Sequence, residues 1–147
     1  MLIPNGTHIM VLDGAKRVLY RNDGEAIEPD LVRIADTSHH SAETHDQGTE
    51  RPGRRFESAG SSRGAYENSD YHQRDEDDFA VKSADILNAL ATDERHKLIL
   101  VAAPRVLGVM RQHMTAETKR QLLAEIDKDY AGRSAHDVAE MLVQHVA

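Results

Sequence analysis

This sequence predicts an α/β fold in a single domain, a mixed sheet of about five strands flanked by helices. Three observations predict it. Two short runs rich in apolar and β-branched residues, Thr7 to Leu12 and Arg17 to Arg21, flank Asp13-Gly14, a dipeptide favoured in tight hairpin turns. A third run, Lys97 to Ala103, is apolar almost throughout, the mark of a strand covered on both faces. Segments with helical spacing lie between and after these runs, and no internal repeat is present.

Taken in order, Thr7 to Leu12 forms the first strand and the second starts near Ala15. Asn22-Asp23-Gly24 is the next turn signal, and Leu31 to Ala35 forms a third strand after Pro29-Asp30. From Thr37 to Ala65 the texture changes to His, Ser, Gly, Arg and acids, with Phe56 the only large apolar side chain, so 37–65 reads as a long mobile loop. A helix follows from Tyr66 or Glu67 to near Ala91, with Phe79, Ile86, Leu87 and Leu90 sharing one face. Acidic residues crowd its first half, where the helix dipole favours them. Lys97 to Ala103 is the core strand, ended by Pro104, and Val106 to Met114 reads as a short helix. In Gln121 to Asp129, Leu122, Leu123 and Ile126 fit a helical face, but a run this short suits a strand as well. Ser134 followed by Asp137 resembles a capping box, and Val138, Met141, Leu142 and Val146 supply the stripe of a terminal helix.

Composition narrows the function classes. The chain of 147 residues has one domain's length, and with no Trp and two Phe its core rests on Ile, Leu, Val, Met and Ala. Cysteine is absent, which excludes disulfides, thiolate zinc sites and cysteine nucleophiles and fits a reducing cytoplasm. No basic segment followed by an apolar run opens the sequence, and no stretch approaches the roughly 18 apolar residues of a membrane span, so a cytoplasmic protein with no membrane partner is expected. A net charge of −7 argues against a general nucleic-acid coat. Charge is nevertheless segregated. Arg51, Arg54, Arg55 and Arg63 stand against Glu57 alone, for a net +3, whereas Asp70 to Asp78 is strongly acidic.

Four segments taken together resemble the host-attachment protein family, proteins required for attachment to host cells. They are Val11 to Arg17, Asp46 to Arg54 with its Gln47-Gly48-Thr49-Glu50-Arg51-Pro52-Gly53-Arg54 string, Leu98 to Arg111 around Ala103-Pro104-Arg105-Val106-Leu107-Gly108, and Glu125 to Asp129. That family is grouped with bacterial relatives of archaeo-eukaryotic release factors. The resemblance implies the fold of a release-factor middle domain and a strand at 120–129. The release-factor loop carries Gly-Gly-Gln, which promotes peptidyl-tRNA hydrolysis, and this sequence lacks it. The flanking domains that read stop codons have no counterpart here either.

The arginine-rich segment has the ingredients of a phosphate contact: guanidinium forks on Arg51, Arg54, Arg55 and Arg63, with Pro52 and Gly53 shaping the backbone. Gln47 and Gly48 form a turn that aims them. Arg105 sits where a strand feeds a helix, the place where open α/β sheets bind ligands. The bland alternative is a solvated basic loop balancing the acidic helix. Asp13-Gly14 reads as a hairpin turn before it reads as a catalytic carboxylate. His39, His40, His45 and His72, with Asp46 and Asp70 nearby, match no established zinc spacing, so no metal or cofactor is expected. Ser58, Ser61 and Ser62 lie in no nucleophile context, so no catalytic residue is assigned and the reading leans away from an enzyme. The leading expectation is a non-enzymatic release-factor-like factor that contacts the ribosome or tRNA through the basic loop. Two rivals are an intracellular protein-interaction factor affecting host attachment and an ester or peptidyl-tRNA hydrolase.

Overall fold

A computed structural model describes the backbone of residues 1–38 and 61–146, and the side chains of 1–38 and 73–146. Strands β1 (His8–Leu12), β2 (Lys16–Asn22) and β3 (Leu31–Ser38) precede helix α1 (Ser61–Leu90). Strand β4 (Leu98–Ala102), helices α2 (Pro104–His113) and α3 (Ala116–Gln121), strand β5 (Leu122–Asp127) and helix α4 (Ala135–Gln144) complete the chain.

The five strands form one sheet in the order β3-β2-β1-β4-β5. β1 pairs antiparallel with β2, and β2 antiparallel with β3, as the hairpin signals predict. β1 pairs parallel with β4, and β4 parallel with β5, each parallel step carried by a helical crossover. Every residue of β4 is buried, which accounts for its unbroken apolar sequence. Alternate side chains feed two cores. Met10, Leu12, Leu19, Leu98, Leu100 and Ala102 meet α1 and α2 on one face. Ile9, Val11, Val18, Tyr20, Ile99, Val101 and Ile126 meet Val138, Met141 and Leu142 of α4 on the other.

The strand that the resemblance implies at 120–129 is present as residues 122–127 at the sheet edge, only partly buried despite the helical spacing of Leu122, Leu123 and Ile126. Other expectations are corrected. β3 runs on to Ser38 and α1 begins at Ser61, so both ends of the expected 37–65 loop belong to regular elements, and 39–60 lies outside the described residues. With α1 starting at Ser61, no acid occupies its first turn. The run from Asp70 to Asp78 is therefore too far along the helix for the dipole to favour it. The sheet-facing seam of α1 is Phe79, Ala80, Ser83, Ala84 and Leu87, continued by Ala91 just past its end, while Ile86 and Leu90 are only partly buried at its flank. Val146 lies past the end of α4 and is exposed, whereas Val138, Met141 and Leu142 are buried as expected. Helix α3 has no apolar stripe to announce it, and is set by Thr115, whose side chain accepts from the Thr118 amide.

Candidate functional site

The parallel strands β1 and β4 end together at Leu12 and Ala102, and three groups of side chains gather at that edge. The first is the hairpin. Asp13 Oδ1 accepts from the amides of Ala15 and Lys16 at 2.8 and 2.7 Å, and the Asp13 amide donates to the Lys16 carbonyl at 3.0 Å. Asp13 is thus the opening residue of the turn, with Gly14-Ala15 at its centre, and its carboxylate is engaged in holding the backbone. Gly14 has no positive φ. Its role is clearance, because a Cβ there would come within 2.8 Å of the Glu76 side chain reaching over from α1.

The second group surrounds Arg105. Pro104 opens α2 and Arg105 follows it, with Ala103 at the N-cap offering no side-chain acceptor. The Arg105 guanidinium reaches Asp77 of α1, Nη2 to Oδ1 at 3.3 Å and to Oδ2 at 3.5 Å. Both side chains remain substantially exposed. Arg105 therefore lies at the strand-end edge of the sheet, with Asp77 as its acidic partner.

The third group was not anticipated as a site. Arg17, opposite Leu12 at the start of β2, sends its side chain to the α1 face. Its Nη1 donates to Ser83 Oγ at 2.7 Å, and its guanidinium carbon lies 4.9 Å from the Phe79 ring centroid. Ser83 Oγ in turn donates to the Phe79 carbonyl at 2.8 Å. Burial lowers the Arg17 pKa from its ordinary value. The signal available in the sequence was a serine in the middle of an otherwise apolar helix face.

Of the residues singled out from sequence, the structure places Asp13 and Arg105 on this edge. Arg63 lies in α1 with its side chain outside the described residues, as do Ser61, Ser62, Asp70 and His72. Gln47, Gly48, Arg51, Pro52, Gly53, Arg54, Arg55, Ser58, His39, His40, His45 and Asp46 lie outside the described residues altogether. At the opposite end of β1, His8 and His96 meet edge to face with ring centroids 6.2 Å apart. Among the described residues no cluster of three metal-ligating side chains forms, and no helix is long and apolar enough to cross a membrane.

The model for bacterial archaeo-eukaryotic release factor family 12 matches residues 6–142, from the loop before β1 into α4. No curated protein matches the chain. The match spans the whole sheet, helices α1 to α3 and most of α4, and the chain belongs to that family.

Proposed function

We propose that this family member is a non-enzymatic factor that contacts the ribosome or a tRNA, with Arg51, Arg54, Arg55, Arg63 and Arg105 meeting RNA phosphates. The observation that carries the reading is the family match over residues 6–142 around a segment whose net +3 stands out in a chain of net −7. Planar guanidinium groups suit bidentate phosphate contact, and phosphate contacts need no catalytic group. The sequence has no Gly-Gly-Gln. Asp13, the carboxylate best placed at the strand ends, is spent on its own turn. Both facts favour binding over hydrolysis.

The experiment is co-sedimentation of the purified protein with ribosomes at low salt, with and without tRNA, beside a variant carrying Arg51→Gln, Arg54→Gln and Arg55→Gln. Wild type should pellet with ribosomes and lose that association as salt rises, through counterion release. The triple variant should stay in the supernatant with an unchanged melting temperature. Absence of wild-type association under every condition sinks the reading, and retention by the triple variant removes the loop from it.

A further inference from the structure

The described arginines differ sharply in how their charge is met. Arg21, Arg33, Arg95, Arg105 and Arg111 each lie within 4 Å of a carboxylate, on Asp23, Asp36, Asp93, Asp77 and Glu125. Arg17 sits on the side of α1 with its guanidinium on Ser83 and beside Phe79, burial lowers its pKa with no opposing pull from a carboxylate, and among the described residues no carboxylate lies within 4 Å of it. A partly desolvated cation without a counter-charge is costly to hold, so its surroundings call for explanation.

Those surroundings are a ledge. Helices α1 and α2 cover β1 and β4 on this face, and β2 contributes only Leu19 to that core. The pairings Arg17↔Thr37 and Leu19↔Ala35 put Ala35 and Thr37 on the same face as Arg17, and every residue of β3 from Arg33 to Ser38 is exposed. Among the described residues the sheet therefore continues past the flank of α1 as an exposed strip, with Arg17 where strip and helix meet. The guanidinium is held before any ligand arrives, since Ser83 takes Nη1 and the Phe79 ring centroid lies 4.9 Å from Cζ. Among the described residues no hydrogen bond engages the Nε and Nη2 edge, the one that grips a phosphate with two parallel hydrogen bonds. The ledge also opens at the C-terminal end of β1, where open α/β sheets take their ligands.

We propose that Arg17 is a phosphate-contacting residue and that the ledge beside it seats one phosphate group of an RNA backbone. The inference rests on the RNA-binding reading above and adds to it a contact on the rigid sheet. Ser83 is the positioning residue, and Leu19, Ala35 and Thr37 floor the strip along which the strand runs.

Fluorescence anisotropy with a labelled oligouridylate tests it. Arg17→Gln should weaken binding about tenfold and flatten the dependence of log affinity on log salt by about 0.7, the share of one phosphate on a single strand. Arg17→Lys should recover the slope but not the full affinity, because it restores charge without the fork. Ser83→Ala, which frees the guanidinium to rotate, should weaken binding severalfold with the slope unchanged. Wild-type affinity and slope in Arg17→Gln would overturn the inference, as would failure of the wild type to bind the oligonucleotide, or equal competition by polyglutamate. If Arg17→Gln does not fold, the lysine and serine variants decide by the same measurements. Ribosome association lost in the triple loop variant but intact in Arg17→Gln would remove this contact and leave the broader reading standing.

Discussion

Asn22 is fully buried and holds the turns at one end of the sheet together. Its Nδ2 donates to the Ile3 carbonyl at 2.7 Å, while its Oδ1 accepts from the amides of Gly24 and Asp30 at 2.8 and 2.9 Å. In the sequence it reads only as part of a turn signal, because local composition carries no information on which distant backbone groups an amide will meet. Asn22→Ala leaves those groups unpaired away from water and should cost about 3 kcal/mol in urea denaturation, against near neutrality for an exposed turn residue. His8 carries the second prediction at this scale. Burial chiefly lowers its pKa below the ordinary 6.5, and His96 and Arg21 add to this, against an opposing pull from Asp93. The folded state disfavours the protonated ring, so stability is fully present above about pH 6.5 and is lost as pH falls toward the depressed folded value. His8→Gln, uncharged throughout, should show a smaller drop in melting temperature than wild type between about pH 7 and about pH 5. Equal drops would mean that His8 does not take part in the linkage.

At the scale of elements, legibility follows how strongly burial constrains residue type. β4 is covered on both faces and so could contain nothing but apolar residues, which made it plain. The cap of α4 was equally plain, since Ser134 Oγ accepts from the Asp137 amide at 3.1 Å in the expected pattern. The seam of α1 was obscured because its contact positions are small. Ala80 and Ala84 weigh little in any hydrophobic pattern, yet they let the helix lie close to β1 and β4 and are essentially unexposed. Ile86 and Leu90, larger and so heavier in the pattern, are only partly buried at the flank. This assignment is tested by a pair of substitutions in the same helix. Ala84→Leu forces extra methylenes into a filled interface and should cost about 1–3 kcal/mol. Ala89→Leu, on the exposed side, should stay within about 0.5 kcal/mol of wild type. Equal effects by chemical denaturation would mean that the helix does not sit on the sheet through its alanines.

Across the whole molecule, the segregation of charge was legible, whereas the use made of it was not. The acidic run of Asp70 to Asp78 reads in sequence as charge favoured by the dipole at the start of a helix. In the fold, Asp77 meets Arg105, a partner 28 residues away that only the packing of α1 beside α2 brings near. The pair is weak as a structural element, because side chains exposed at 51% and 40% keep most of their hydration, and such pairs contribute about 0–1 kcal/mol. For binding it matters more. On the proposed RNA-binding reading Arg105 would have to release Asp77 to engage a phosphate, and the acid would then compete with it, lowering affinity and sparing the site from indiscriminate anions. Asp77→Asn removes the competing charge and keeps the shape. Its melting temperature should change little, while affinity for oligouridylate at low salt should rise severalfold, with a steeper salt dependence as Arg105 becomes fully available. Asp77→Asn combined with Arg105→Gln should lose that gain, which separates the release of Arg105 from a general reduction of negative charge. A gain that survives in the double variant would assign the effect to overall charge and remove Arg105 from the contact surface.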